Sequence, residues 1–281
     1  MDRITLTSPA KINISLRILG KREDGFHELE TTFCKLALAD QVTIKRVKSG
    51  DSKLTCNDPS VPSDESNLAM KALRAFEKEI GATYPCSIKL EKRIPSGAGL
   101  GGGSSNSAVT LKGLNRLAKE PIGQERLLEL AAEIGSDVPF FLLDENSAIG
   151  TGRGEHVQPI AFPWRLPVIL IKPPFPIPTP WAYQKWITSK ELPGVLYAPQ
   201  VCPWGEMVND LERPVFQKFT LLPTLKMKLL DHPDVIGALM SGSGSTMFAI
   251  TRTAVACDSV AALAAKWCGT ESFICVTHTL V

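Results

Sequence analysis

The run PSGAGLGGGSSNSA, from Pro95 to Ala108, contains five glycines and four serines. Glycine loses more conformational entropy on folding than any other residue and adds no side chain to a core, so a run this dense indicates close approach to bare backbone. Successive N–H groups that lead into a helix, here near Ser105, present donors and the positive end of the helix dipole to an anion. The run therefore predicts a phosphate-binding loop.

Other glycine-rich segments fit this run less well. Residues 97–102 match G-x-G-x-x-G, but the preceding residues 87–92 alternate in polarity, whereas a dinucleotide fold needs a strand buried on both faces. A Walker A loop needs lysine directly after its last glycine, and Gly103 is followed by Ser104. A flexible linker is the remaining alternative, which the position between a strand and a helix disfavours.

Two further side chains have types suited to catalysis, Lys11 and Asp137. Asp137 follows the helix-ending Gly135 on a loop, where its carboxylate could act as a general base or cap the next short element. Lys11 lies in an alternating stretch, where a lysine could simply extend into solvent. With Ser8 it also matches S-x-x-K, the nucleophile motif of serine acyl-enzymes, although that motif belongs at the start of a helix. An acyl-enzyme hydrolase is therefore an alternative function.

Periodicity and capping signals predict the elements that would position these residues. Apolar residues alternate in the predicted strands, which are 4–18, 33–38, 42–47, 53–56, 87–92, 168–171, 235–240, 246–251 and 273–277. Helical spacing predicts helices at 68–80, from near 105 to 118, 127–134, 215–230 and 254–267. Eight prolines between 159 and 180 indicate a domain boundary, so we predict domains of 1–158 and 159–281 and an α+β fold.

Composition excludes several classes of protein. Of 281 residues, 44% are hydrophobic and 21% charged, which excludes a disordered or fibrous chain, and a net charge of +2 predicts no general affinity for nucleic acid. Seven cysteines without a C-x-x-C pair disfavour structural zinc and a disulfide framework. The N-terminal residues alternate without a signal-peptide pattern, and apolar runs stay shorter than a membrane span. These features predict a cytoplasmic protein with no membrane partner.

Three segments, in chain order, resemble the motifs of the GHMP small-molecule kinases. They are SPAKINISLRILGKREDGFHEL at 8–29, the glycine run at 95–108 and SGSGSTMFAI at 241–250. Within that superfamily, PAKINI, DGFHELET, GSDVPFF and IPTP resemble the members that phosphorylate a cytidine diphosphate polyol for isoprenoid synthesis by the non-mevalonate route. Galactokinase, homoserine kinase and mevalonate kinase share the glycine loop but not DGFHEL.

The resemblance implies a two-domain α+β fold, with an N-terminal domain like the second domain of ribosomal protein S5 and a ferredoxin-like C-terminal domain. ATP with Mg²⁺ and a small-molecule substrate would meet in the cleft between them, and ATP would phosphorylate the 2-hydroxyl of the polyol. A monomer or weak homodimer is expected. Two alternatives are another GHMP kinase, of the mevalonate or homoserine type, and a ligand-binding scaffold without catalysis.

The resemblance also implies roles for individual residues. Lys11 and Asp137 would be catalytic. The nucleotide would contact Pro95, Ser96, Gly97, Ala98, Gly99, Leu100, Gly101, Gly102, Gly103, Ser104, Ser105, Asn67 and Lys92, although Asn67 could instead cap a helix and Lys92 could be solvated. The substrate would contact Asn13, Phe26, His27, Thr179, Tyr183, Gly242 and Ser243. Phe26 and His27 would form one face of a stack on the cytosine and Tyr183 the other, with Phe26 where the family usually has tyrosine. His27 could instead be an ordinary core histidine, and SGSGS a tight hairpin turn.

Overall fold

A computed structural model describes residues 2–281 of the chain. Its strands are β1 (Arg3–Lys21), β2 (His27–Arg46), β3 (Lys53–Cys56), β4 (Cys86–Glu91), β5 (Ser147–Thr151), β6 (His156–Pro159), β7 (Pro167–Lys172), β8 (Gln200–Cys202), β9 (Gly205–Asn209), β10 (Val235–Met240), β11 (Met247–Thr251) and β12 (Phe273–His278). Its helices are α1 (Leu68–Ile80), α2 (Gly102–Leu117), α3 (Gln124–Ile134), α4 (Val138–Leu142), α5 (Thr179–Trp186), α6 (Glu212–Lys218), α7 (Leu221–Leu230) and α8 (Ala254–Cys268).

The larger sheet is built on the long antiparallel pair of β1 and β2. Its strand order is β3-β4-β2-β1-β9-β8, and β5 and β6 extend it from β2. In this register Lys11 lies opposite Lys35 and Asn13 opposite Phe33, with irregularities on both sides of the Lys11 to Asn13 segment. Such irregularities redirect side chains next to functional sites. The strand character predicted at 33–38 and 42–47 is confirmed, but the break between them is wrong. β2 is continuous through the buried Asp40, whose carboxylate is hydrogen-bonded.

Helices α1 and α2 cover one face of the larger sheet. Asn67 caps α1, accepting a hydrogen bond from Ala69 N at 2.9 Å, and Gly81 ends it with φ of +66°. The prediction for this helix is therefore confirmed. Its buried Leu73 and Phe76 pack with Ile44 of β2 in a core that also receives residues of α2, α3 and α4. Burying a side chain of this size contributes about 1.5–3 kcal/mol, so this face anchors the glycine loop that precedes α2.

The smaller sheet has the antiparallel order β10-β11-β7-β12 and carries α7 and α8. The single helix predicted at 215–230 is wrong, because Phe219 adopts a non-helical φ of −108° and ψ of +74° between α6 and α7. Pro223 explains the break, since proline lacks an N–H and fits the first turn of a helix better than its interior. The sequence patterns also missed the hairpin of β8 and β9, which returns to the larger sheet by pairing β9 with β1.

Candidate functional site

The first glycine loop, residues 95–101, joins β4 to α2 in a conformation that requires glycine. Gly97, Gly99 and Gly101 have φ of +60°, +74° and +68°, values that other residues rarely adopt. Helix α2 begins at Gly102, so the predicted start near Ser105 was late. The N-terminal turn of this helix follows directly from the loop, and its unpaired N–H groups and the loop line one cleft of about 510 Å³.

The second glycine loop, SGSGS at 241–245, contacts the first loop directly. Ser241 Oγ donates a hydrogen bond to the carbonyl oxygen of Gly99 at 2.9 Å, and Thr246 N donates to that of Ala98 at 3.3 Å. A Cβ atom at Gly99 would lie 2.2 Å from the carbonyl oxygen of Ser241. The second loop does form a hairpin turn between β10 and β11, as the alternative predicted, but it also brings the two halves of the chain together.

Lys11 and Asp137 form an ion pair next to both loops. Lys11 Nζ lies 3.3 Å from Asp137 Oδ2 and donates a hydrogen bond to Asn13 Oδ1 at 2.7 Å. Asn13 in turn donates to Thr31 Oγ1 at 2.7 Å, which orients its amide. The side chain of Lys11 is only 4% exposed, against 33% for Asp137, so the alternative of a solvent-facing lysine is wrong. The pair places a cation and an accessible carboxylate at one point, next to both glycine loops.

Asp137 occupies the N-cap position of α4 without capping it. Within residues 2–281, its carboxylate accepts no capping hydrogen bond from a backbone N–H of this helix. The alternative of a plain helix cap is therefore wrong. The carboxylate instead lines two adjoining cavities, one with Lys11 and Asn13 and one with the aromatic residues at the start of β2 and in α5.

The aromatic cavity, of about 400 Å³, is lined by Phe26, His27, Tyr183 and Arg153 together with Asp137. The rings of His27 and Tyr183 have centroids 5.5 Å apart, so they contact each other. A base between these two rings would need about 7 Å, twice the van der Waals contact distance. Phe26 is 52% exposed, and the Arg153 guanidinium lies 4.8 Å above its ring. A planar group could therefore stack on Phe26 or Tyr183, but not between His27 and Tyr183.

Burial changes the acid–base behaviour of this aromatic group. It lowers the pKa of His27 below its ordinary value, with the charge of Lys21 adding to the effect. It also raises the pKa of the Tyr183 phenol, to which the negative charge of Asp137 contributes. His27 Nε2 is enclosed and finds no hydrogen-bond partner among residues 2–281. Both rings are therefore neutral at pH 7, as suits contact with an uncharged base.

The lowered pKa of His27 predicts a pH-dependent stability. As pH falls below about 6.5, an unfolded chain takes up this proton before the folded chain does, so the stability contributed by neutral His27 is lost as pH falls through the folded pKa. We expect the melting temperature to fall more between about pH 7.5 and 5.5 in the wild type than in His27→Gln. An imidazole NMR titration midpoint for His27 at or above the ordinary value would contradict this prediction.

Lys92 and Asn67 line the nucleotide-sized cleft, but their polar groups are already engaged. Lys92 Nζ pairs with Asp40 and donates to Asn106 Oδ1 at 2.9 Å, and its side chain is only 6% exposed, so the alternative of a solvated lysine is wrong. Asn67 uses its amide to cap α1 and to donate to the Pro62 carbonyl oxygen at 2.6 Å.

The structure places the other predicted residues around the same centre. Thr179, at the start of α5, shares a hydrogen bond of 2.7 Å with Ser243 of the second loop. Gly242 lies beside Lys11, because a Cβ there would be 3.4 Å from Lys11 Nζ. Arg153 was missed by the sequence analysis. The sequence feature that could have indicated it is a charged residue between two glycines, Gly152 and Gly154, whose φ values are +71° and +107°.

A family model described as "GHMP kinases N terminal domain" matches residues 67–145. A relative from Methylacidiphilum infernorum, named "4-diphosphocytidyl-2-C-methyl-D-erythritol kinase", is 44% identical over 244 residues, which are 86% of this chain and 84% of the relative. The chain belongs to the GHMP kinases. For this GHMP kinase the predicted two-domain α+β fold and kinase activity are confirmed, and the acyl-enzyme alternative is wrong.

Two other similarities extend over most of this GHMP kinase. A relative from Oryza sativa subsp. japonica, named as the chloroplastic form of the same enzyme, is 41% identical over 263 residues, covering 89% of this chain and 65% of the relative. A crystal structure of 4-(cytidine 5'-diphospho)-2C-methyl-D-erythritol kinase has a TM-score of 0.80 at 32% identity and covers 99% of this chain and 100% of that one.

Proposed function

We propose that this GHMP kinase transfers the γ-phosphoryl group of ATP to the 2-hydroxyl of 4-diphosphocytidyl-2-C-methyl-D-erythritol. The observation that carries the proposal is the Lys11–Asp137 pair, 3.3 Å apart, between a glycine-loop cleft and an aromatic cavity. A phosphoryl donor and a base-carrying acceptor could meet there. The names and 34–44% identities of the relatives support the same substrate.

ATP is the phosphoryl donor that membership in a kinase family implies, and the first glycine loop is the proposed site of its phosphates. The cleft beside it is lined by the loop, by Lys92 and by the residues around Asn67. Backbone N–H groups and the N-terminus of α2 would replace the Walker lysine as the source of positive potential. A Cβ at Gly101 would lie 2.8 Å from the Phe141 ring, so the backbone there has to stay bare.

Magnesium would be held together with the phosphates and not by a protein cage. Among residues 2–281, no group of three or more His, Cys, Asp or Glu side chains could hold a metal ion. Mg²⁺ commonly binds substrate phosphates with few protein ligands, and Ser104, which lines the glycine-loop cleft, would offer its hydroxyl. When bound, the ion would neutralise charge on the phosphates.

The acceptor hydroxyl is proposed to lie between Asp137 and the γ-phosphate. Asp137 would orient the hydroxyl and accept its proton while the oxygen bonds to the γ-phosphorus, as the bond from phosphorus to the β,γ-bridging oxygen breaks and ADP leaves. Lys11 would stabilise the charge on the transferred group. Asn13, whose amide is already oriented by Thr31, would bind a neighbouring hydroxyl of the polyol.

The cytosine is proposed to bind in the aromatic cavity. Phe26 and Tyr183 would offer stacking faces, and His27 would pack against Tyr183 and fix its ring. Thr179 and Ser243, hydrogen-bonded to each other, would hold α5 and the second loop around the substrate, with Gly242 giving room beside Lys11. Arg153 lines the same cavity and is placed to attract the diphosphate.

The aromatic cavity favours this acceptor over the smaller acceptors of other GHMP kinases. Mevalonate, homoserine and galactose carry no base that would use stacking faces. The intact Lys11–Asp137 pair argues against a scaffold without catalysis.

The remaining expectations concern partners and compartment. A monomer or weak homodimer, a cytoplasmic location and the lack of nucleic-acid or membrane partners stay predictions. In residues 2–281, helices are too short or too polar to span a bilayer. The relatives carry different compartments in their names, since the rice enzyme is called chloroplastic.

The experiment is an ADP-release assay with ATP, Mg²⁺ and the cytidine acceptor, with mevalonate, homoserine and galactose as parallel acceptors. We expect ADP release with the cytidine acceptor alone, and a new phosphate monoester on the polyol by ³¹P NMR. Turnover of mevalonate without turnover of the cytidine acceptor would refute the proposed substrate but keep the kinase. ATP binding without turnover of any acceptor would favour the scaffold.

A further inference from the structure

One carboxylate, that of Asp40, holds both ends of the first glycine loop. Asp40 lies within β2 and is fully buried. Its Oδ1 accepts hydrogen bonds from the backbone N–H groups of Arg93 and Ile94, at 2.7 and 2.9 Å. Its Oδ2 accepts from Asn106 Nδ2 at 3.0 Å and pairs with the ammonium of Lys92. Arg93 and Ile94 lead into the loop, and Asn106 lies in the helix that leaves it.

The loop itself has little means of fixing its own shape. Its three glycines at positive φ are the residues with the largest conformational freedom in the unfolded chain, and glycine has no side chain that could pack. The middle of the loop is held from outside, where Lys11 N donates to the carbonyl oxygen of Leu100 at 3.0 Å. The ends depend on the segments before and after the loop, and Asp40 ties those two segments to one point.

The Asp40 contacts continue to the strand that carries Lys11. Asn106 Nδ2 also lies 2.8 Å from Ser8 Oγ, which donates to Ser105 Oγ at 2.8 Å. Ser8, Ser105 and Asn106 are all buried, so this network is shielded from water. Buried, hydrogen-bonded polar networks of this kind hold one geometry, because any rearrangement leaves a polar group unpaired.

We propose that Asp40 is a positioning residue for nucleotide binding. It fixes the entry and the exit of the phosphate loop, and it holds the Lys92 ammonium under the first turn of α2. A Cβ at Gly102 would lie 3.2 Å from Lys92 Nζ, so the charge is held against the helix N-terminus that borders the cleft. The inference rests on the proposed function in one respect, namely that this loop binds ATP.

The variant that tests this inference is Asp40→Asn. Asparagine keeps the size and one acceptor oxygen, but it turns an amide NH₂ toward Lys92 and Asn106 and leaves the lysine charge buried without a counter-charge. By calorimetry with ATP alone, we expect the dissociation constant to rise about tenfold or more, as for the loss of a charged hydrogen bond. The KM for ATP should rise in parallel, with the KM for the acceptor near its wild-type value.

Asn115→Ala is the matched control for general destabilisation. Asn115 is a buried residue of α2, the helix that follows the loop. Its amide bonds the backbone of Ile122 at 2.9 and 3.1 Å, away from both ends of the loop. It should lower the melting temperature and leave ATP affinity unchanged. If Asn115→Ala weakens ATP binding as much as Asp40→Asn, at a temperature where both are folded, the inference is wrong.

A milder variant, Asn106→Ala, keeps the inference testable if Asp40→Asn does not fold. It removes the hydrogen bonds of Asn106 to Asp40 and Ser8 and the one from Lys92, but it keeps the Asp40 carboxylate. The ATP dissociation constant should rise about fivefold or more. If Asp40→Asn folds and binds ATP as the wild type does, the inference is overturned and the proposed function stands. If Asp40→Asn does not fold, wild-type ATP affinity in Asn106→Ala has the same meaning. A wild-type chain that does not bind ATP would instead overturn the proposed function.

Discussion

Replacing Asp137 with asparagine is expected to lower kcat by about a thousandfold, within the range of general acid–base catalysis, with little change in ATP affinity. Asparagine matches the shape of aspartate but cannot accept the proton of the acceptor hydroxyl, and it leaves Lys11 without its ion-pair partner. The phosphate loop is a separate element, so nucleotide binding should persist. Steady-state kinetics with the cytidine acceptor, together with calorimetry of ATP binding, measures both quantities.

The matched control for this prediction is Asp144→Asn. Asp144 is 89% exposed and forms a surface ion pair with Lys112 at 2.6 Å. Its replacement should cost little stability, because surface ion pairs contribute little, and it should leave kcat unchanged. If kcat of Asp137→Asn stays within about tenfold of the wild type, the loss is smaller than a general base should cause, and Asp137 is not the base. The binding proposals would be unaffected.

Replacing Gly99 with alanine is expected to lower kcat/KM for ATP by about a hundredfold or more, as a displacement of about 1 Å in a catalytic arrangement can do. The new Cβ would lie 2.2 Å from the Ser241 carbonyl oxygen and 2.9 Å from that of Gly244, and both obstacles are backbone. The two loops would have to separate, which breaks the hydrogen bond from Ser241 Oγ to Gly99. The same kinetic assay, run with varied ATP, measures the effect.

Gly50→Ala separates the steric clash from backbone strain. Gly50 has φ of +98°, and a Cβ there would meet no heavy atom of residues 2–281 within 4 Å. Alanine at this position carries the cost of left-handed backbone, about 1–2 kcal/mol, without a collision. Gly50→Ala should therefore be less stable but have wild-type kcat/KM. A similar loss of kcat/KM in both variants would show that contact between the loops does not matter for activity.

Local patterns predicted the elements whose signals lie within a few residues. The capping Asn67 and the terminal Gly81 fixed α1 from both ends, and the alternating residues of β4 marked the strand before the glycine loop. The missed elements depend on distant partners. Asp40 interrupts the apolar pattern of β2, and only its contacts with the chain 53 and 54 residues later explain why the strand continues. The short β9 is a strand because β1 lies beside it.

The site could be predicted in its residue types but not in its contacts. Glycine density predicted a phosphate-binding loop, and the family motifs supplied Lys11 and Asp137 as catalytic candidates. The burial of Lys92 could not be predicted from the sequence, because a lysine after a half-polar strand is typical of a solvated position. Only its ion pair with the buried Asp40 shows otherwise. The contact of Gly99 with Ser241 was equally inaccessible, since it joins residues 142 positions apart.

The hydrogen bonds between the two glycine loops are made by protein atoms alone, from Ser241 and Thr246 to Gly99 and Ala98. The free energy of bringing these two parts of the chain together therefore belongs to folding and not to substrate binding. A kinase assembled in this way does not have to draw on the binding energy of its nucleotide to build the proposed phosphate site. More of that energy remains to favour the transition state. A mutation that loosens the loop contact should therefore lower catalytic efficiency even where unfolding stays cooperative.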